Sequence, residues 1–154
     1  MPDMFIMHTP IGKLAVHTDA QSITGIDYAA RGSVTETLHS PLQRKIKRQL
    51  EAYFRKPQQE FDLPLQVSGT DFQKKVWRIM QQIPAGRTLQ YGEVARRLHS
   101  SPRAVGNACR ANPIPLIIPC HRIVAKHGLG GFSGKRTGVT VERKRWLLHH
   151  EGAL

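Results

Sequence analysis

Apolar residues alternate with polar ones in the first 28 positions of this chain and recur at helical spacing from Ser40 onward. That segregation restricts the fold, because strands gathered at one end and helices at the other make an α+β protein rather than repeated strand–helix units. Leu14-Ala15-Val16 and Ile23-Thr24-Gly25-Ile26 carry the alternation. Strands are predicted over Met4–His8, Lys13–Thr18 and Ser22–Tyr28, with Pro10-Ile11-Gly12 turning between the first two. Ser40 before Pro41 reads as the N-cap and first position of a helix. Its Leu42, Ile46, Leu50 and Tyr53-Phe54 share a face, while Lys45, Lys47 and Arg48 read as its solvated side. Lys56-Pro57 ends this helix, and Phe61–Leu65 reads as a last strand before a linker at Gln66–Gly69. A chain of 154 residues holds one core or two small domains, and the boundary is read as 1–66 and 67–154.

The second part is mainly helical. Thr70-Asp71-Phe72-Gln73 has capping-box spacing, and Phe72, Val76, Ile79, Met80 and Ile83 form a core stripe that Pro84-Ala85-Gly86 terminates. Tyr91–Leu98 reads as a short helix, and Ser100-Ser101-Pro102 opens another over Arg103–Arg110. Two short helices on a tight turn suggest a helix-turn-helix. Ala104, Gly106 and Ala108 line the second helix, and on their own such small side chains point to close helix packing. His121–Ala125 reads as a strand, Gly128–Gly134 as a glycine-rich loop, and Val139–Glu151 as a closing helix with Gly152 just past its end.

Charge and cysteine usage then narrow the function. Up to Gln66 there are eight Lys/Arg against seven Asp/Glu, but from Val67 on there are fifteen against four. Excess positive charge confined to one half points to a polyanionic partner for that half. No apolar stretch approaches the ~20 residues of a membrane span, and Met1-Pro2-Asp3 lacks the basic start of a secretory leader. Two cysteines, Cys109 and Cys120, make neither a disulfide framework nor a CxxC metal site, so a reducing cytoplasm is expected and no metal or cofactor is implied.

The chemistry concentrates at Pro119-Cys120-His121-Arg122, behind the apolar run Pro115-Leu116-Ile117-Ile118. A free thiol has a pKa of about 8.5, and reactive ones are lowered to ~3.5–7.5 by a base or a positive environment. His121 is the candidate base, yet adjacent residues of an extended segment face opposite sides, so a bridging water is needed. An acid must then orient the imidazole, and Glu151 is chosen from the four acids of this half, Asp71, Glu93, Glu142 and Glu151.

Pro119-Cys120-His121-Arg122, with Asn112-Pro113 eight residues before the thiol, resembles the active-site signature of the O6-alkylguanine-DNA alkyltransferases, the methylated-DNA–protein-cysteine methyltransferases. The similarity runs from Thr70 to Gly152. It includes Val76-Trp77, Ile83-Pro84-Ala85-Gly86, Arg103-Ala104-Val105-Gly106, Gly131-Phe132-Ser133-Gly134 and Leu147-Leu148…Glu151-Gly152. In this order and spacing the set is highly specific, whereas the first 65 residues match only in outline, through Thr9-Pro10-Ile11-Gly12. The resemblance implies a small N-terminal domain of ribonuclease H-like fold and a helical domain carrying the helix-turn-helix.

It also implies direct-reversal DNA repair. A damaged nucleotide is flipped from duplex DNA, and the alkyl group of O6-alkylguanine, or of O4-alkylthymine, passes irreversibly to the protein's own Cys120 in one turnover. His121 would act as base through a water, Glu151 would orient it, and Asn112 would stabilise the turn that shapes the site. Tyr91, Ile123 and Ser133 would form the pocket. Arg103, Ala104, Gly106 and Arg110 would meet the DNA, with Arg103 filling the space of the flipped base. The small-residue helix is thus read as a DNA-approaching one, the partner as double-stranded DNA containing O6-alkylguanine, and the protein as a monomer that binds alone or cooperatively.

Three departures from the family pattern stand out: Tyr91 and Arg103 are two residues closer than in many relatives, Gln90 replaces a frequent serine cap, and Phe132 replaces a tyrosine of some members. One alternative is a helix-turn-helix regulator or an alkyltransferase-like protein that flags lesions without transfer, but the lesion-flagging relatives lack the thiol. Another is a cysteine hydrolase, which needs a His from elsewhere in the fold and an oxyanion hole.

Overall fold

A computed structural model describes residues 3–129 and 139–154. It contains two compact units. The first runs to Ser68 and includes Pro113–Pro115. Its sheet is an antiparallel meander of β1 (Asp3–Thr9), β2 (Gly12–Thr18) and β3 (Ile23–Asp27). The β1–β2 turn is closed by Thr9, whose hydroxyl donates to the Gly12 carbonyl at 2.6 Å, and Gly12 supplies the left-handed φ of +102°.

Helix α1 (Pro41–Arg55) packs on β1, and the Ser40 hydroxyl caps it by accepting from the Gln43 amide at 3.0 Å. Ile46, Leu50 and Tyr53 are buried with Phe5, Met7, Leu14, Val16, Ile23 and Ile26 of the sheet. Alternation fails in β1, where Phe5, Ile6 and Met7 are all buried. Ile6 is covered because Thr35 brackets its backbone, the hydroxyl taking the Ile6 amide and the Thr35 amide donating to the Ile6 carbonyl, both at 2.9 Å.

The strand expected over Phe61–Leu65 reduces to a single bridge between Leu65 and Ile23. Pro64 accepts from the Ile23 amide but has no N–H to donate, so the ladder cannot extend through it.

The second unit comprises Gly69–Asn112 and Leu116–Leu154. Helix α2 (Asp71–Gln81) begins with the expected capping box: Thr70 Oγ1 accepts from the Gln73 amide, and Gln73 Oε1 from the Thr70 amide. Val76, Met80 and Ile83 are buried as read, but Phe72 and Ile79 are only half-buried. Trp77 takes the inner place, donating from Nε1 to the Ala108 carbonyl at 2.9 Å. Its ring lies so close to Gly69 that a Cβ there would approach it to 2.6 Å.

Two residues, β4 (Leu89–Gln90), lead straight into α3 (Tyr91–Arg97). Gln90 supplies no serine-like cap, but Glu93 reaches back to accept the Gln90 amide at 3.0 Å. Helix α4 (Pro102–Arg110) packs against α3 and is capped by Ser101, which accepts the Ala104 amide. Between them the short turn is made by His99 at φ +53° and by the Ser100 amide returning to the Ala95 carbonyl.

β5 (Ile123–Val124) pairs in parallel with β4, Leu89 opposite Ile123. The closing helix α5 (Val139–His150) ends in a Schellman turn: the Gly152 amide returns to His149, the Ala153 amide to Leu148, and Gly152 adopts φ +78°. Among the described residues no helix is long and apolar enough to cross a membrane.

Candidate active site

Cys120, His121 and Arg122 form one 3-10 turn, not the start of the strand expected over His121–Ala125, which is confined to Ile123–Val124. The cause is local: Pro119 is followed by a turn in which the Arg122 amide donates to the Pro119 carbonyl at 3.0 Å. The Cys120 amide meanwhile folds back on Ile118 at 2.8 Å. Opposite-facing side chains, a property of extended backbone, therefore do not describe the Cys120–His121 pair.

Leu116, four residues earlier, is fully buried at φ +75°, a conformation that costs a non-glycine residue on the order of 1 kcal/mol. Asn112 holds this segment by donating from Nδ2 to the Ile118 carbonyl at 2.7 Å, and it also hydrogen-bonds the Cys120 thiol.

His121 has no exposed surface. Its Nε2 lies 2.7 Å from Glu151 Oε2, as the pairing with Glu151 requires, while Nδ1 is buried with no hydrogen-bond partner among the described residues. Arg122 grips the same carboxylate, Nε donating to Oε1 at 2.9 Å and Nη2 to Oε2 at 3.0 Å. Its Nη1 donates to the Ile83 carbonyl, just past α2, at 2.6 Å.

The electrostatics follow from burial. Burial pushes the Cys120 thiol up, against the Asn112 hydrogen bond, the Lys144 charge and backbone amides. It pushes His121 down, against its hydrogen bond to Glu151. Burial would also raise Glu151, but the bonds from His121 and Arg122 overcome it and hold the carboxyl at about 2. Both shifts work against the preformed thiolate that a reactive cysteine suggests and toward a protonated thiol beside a neutral imidazole. Such a pair moves its proton only when an electrophile is in place.

The β4–β5 pairing sets Leu89, two residues before Tyr91, opposite Ile123, and Tyr91 and Ile123 both meet a residue that sequence reasoning missed. Lys144 of α5 is completely buried, donating from Nζ to the Ile123 carbonyl at 2.7 Å and to the Tyr91 hydroxyl at 3.3 Å. Burial lowers its pKa to about 8, although the two thiols pull it back up. The signal was present: Val141, Lys144, Leu148 and Glu151 fall on one helical stripe, and all are buried. A lysine on that stripe must have a partner inside.

Cys109, near the end of α4, is buried, and burial raises its thiol too. Arg103 and Arg110 are exposed with Asn107 along the outer face of α4, where Arg110 bonds to Asn107. Ala104 and Gly106 are half-buried beside them, and a Cβ on Gly106 would meet only open space. Arg87, Arg96 and Arg97 are exposed as well. Ser133 lies outside the described residues, as do Gly131, Phe132 and Gly134.

Residues 5–67 match the family model described as 6-O-methylguanine DNA methyltransferase, ribonuclease-like domain, and residues 71–153 match the corresponding DNA binding domain. A methylated-DNA–protein-cysteine methyltransferase of Methanosarcina acetivorans is 36% identical, the match spanning 96% of this chain and 97% of that protein. The constitutive enzyme of that name from Bacillus subtilis is 34% identical over 93% of this chain and 91% of its own. The crystal structure of Mycobacterium tuberculosis OGT in complex with DNA superposes with a TM-score of 0.79 at 36% identity, covering 96% of this chain and 91% of that one.

Proposed function

Since the chain belongs to the 6-O-methylguanine DNA methyltransferase family, whose work is DNA repair by alkyl transfer to a cysteine of the protein, we propose that Cys120 is that cysteine and O6-alkylguanine in duplex DNA its substrate. The observation that carries this reading is the buried sequence Cys120, His121, Glu151, with His121 Nδ1 unpartnered among the described residues and Nε2 fixed on the carboxylate. His121 takes the thiol proton on Nδ1 through a water, and the sulfur attacks the alkyl carbon. The S–C bond forms as the C–O bond breaks, its electron pair leaving on the guanine oxygen. The purine regains one proton, so the transfer is proton-neutral overall, and the thioether left behind cannot turn over again.

Tyr91, Ile123 and Ser133 line the pocket for the flipped base, and Lys144 holds the first two in register. Asn112 fixes the turn that presents the thiol. Helices α3 and α4 act as a helix-turn-helix, with Ala104 and Gly106 letting α4 approach a groove closely. The basic half supplies attraction that is independent of sequence. Two free thiols suit a protein of the reducing cytoplasm that acts as a monomer.

The test is to incubate the protein with an O6-methylguanine duplex and weigh it intact. One methyl group per molecule, and no more with excess substrate, is the expected result; continued turnover would point instead to a hydrolase. Arg103 fills the gap that the flipped nucleotide leaves. Arg103→Ala is therefore expected to slow reaction with duplex DNA about 10-fold or more, the equivalent of losing 1.4 kcal/mol, while sparing free O6-benzylguanine. Equal losses on both substrates would remove Arg103 from that role.

A further inference from the structure

The Arg122 guanidinium is nearly out of solvent and spends all its bonds inside: two on Glu151 and one on the Ile83 carbonyl. The carboxylate it grips is fully buried and carries His121 on the same Oε2 that accepts Arg122 Nη2. Among the described residues, charged and titratable groups around the imidazole come from two elements. Glu151 and Lys144 belong to the last helix and its end, Arg122 and Cys120 to the 3-10 turn. The chain after α2 contributes the Ile83 carbonyl, which faces Arg122.

Counting charge in this buried group makes the role of Arg122 visible. Arg122 and Glu151 are directly bonded and their charges cancel, so with a neutral imidazole and a neutral thiol the remaining charge of the named groups is that of Lys144. Moving the proton from sulfur to Nδ1 creates an imidazolium and a thiolate, and the net charge is kept. Without Arg122 the carboxylate loses the cation that forks onto it, which favours protonating His121 on the shared Oε2, and a charged imidazole has no site left to take a proton.

We propose that Arg122 is a positioning residue for alkyl transfer: by balancing and orienting Glu151 it keeps His121 available as the base for Cys120. The proposal rests on the reading of Cys120 as acceptor and His121 as its base. In the step concerned the S–H bond of Cys120 breaks and the proton ends on Nδ1 of His121, while the other proton stays on Nε2, hydrogen-bonded to Glu151; nothing is oxidised or reduced. The positive charge of Lys144 works in the same sense, opposing imidazolium formation at rest, and its contacts to Ile123 and Tyr91 are independent of Arg122.

The experiment measures the rate of alkyl transfer to Cys120 from O6-benzylguanine between pH 5 and 9 in the wild type, Arg122→Lys and Arg122→Met. In Arg122→Met the acidic limb is expected to move up by about one pH unit or more, so that activity falls about 10-fold or more at pH 6 and much less at pH 9. Arg122→Lys restores the charge without the fork and falls between the two. A uniform loss at every pH, with an unmoved midpoint, overturns the proposal and leaves Arg122 a structural tie.

Nitrogen NMR of His121 in the wild type gives a second way to overturn the proposal even where the variants do not fold. The proposal requires a neutral imidazole with its proton on Nε2 down to pH 6, and an imidazolium at pH 7 would overturn it. The same measurement separates this proposal from its premise. A wild type that transfers no alkyl group sinks the acceptor reading, whereas an imidazolium at His121 in a transferring wild type sinks the role of Arg122 alone.

Discussion

Cys120→Ala is expected to abolish alkyl transfer completely while leaving duplex binding and folding close to wild type. The substitution removes one sulfur from a buried site, a change comparable to Ile→Val that costs about 1 kcal/mol. It touches neither the exposed arginines of α4 nor the His121–Glu151–Arg122 cluster. No second acceptor stands ready. Cys109 is the other thiol, but burial holds its proton on, and its residue neighbours are Ala108 and Arg110 rather than an imidazole. Intact-mass measurement after incubation with an O6-methylguanine duplex checks the chemistry, and a binding titration checks the fold. An alkyl group found on Cys109 in the variant would mean that the wrong thiol has been assigned.

What could be read in the sequence was whatever depends on near neighbours. The Ser40-Pro41 and Ser101-Pro102 helix starts, the Thr70 capping box and the Gly152 helix end are each decided within five residues, and each stands where the sequence placed it. The contact of Glu151 with His121 was also legible, because so few acids exist in the basic half. The failures have two origins, a long-range contact in one case and backbone features that the side-chain pattern does not report in the others. Trp77 displaces Phe72 from the core because an indole N–H finds the Ala108 carbonyl 31 residues away. Pro64 truncates a strand whose apolar pattern looked sufficient. The extended reading of His121–Ala125 failed because two backbone hydrogen bonds around Pro119 close a turn that side-chain pattern does not report. Lys144 went unread because a cation on a helix is usually solvated, and only its position on the stripe of Val141 and Leu148 marks it as an inward one.

Glu151→Gln is expected to be damaging twice over, to stability and to rate. Three donors converge on the carboxylate, at 2.7, 2.9 and 3.0 Å. An amide offers one acceptor oxygen, turns an N–H₂ toward the remaining donors and carries no charge for Arg122. Breaking a buried ion pair by removing one partner costs about 3–5 kcal/mol, which urea denaturation at pH 7 reads directly. With the imidazole no longer oriented, alkyl transfer should slow by about 10²–10⁴-fold, the usual worth of a positioned base. The acid limb of stability gives a second signature. The folded carboxyl sits at about 2, below the ordinary 4.5, so on acidification the unfolded chain takes up this proton first. The corresponding stabilisation is present above the unfolded value and fades as pH falls through the folded one, on the order of 3 kcal/mol in all. Between pH 5 and 2 the wild type should therefore lose stability more steeply than Glu151→Gln, whose amide does not titrate. Parallel curves in that interval would show that Glu151 is not the low-pKa group of the cluster, and that the charge balance assigned to Arg122 is incorrect.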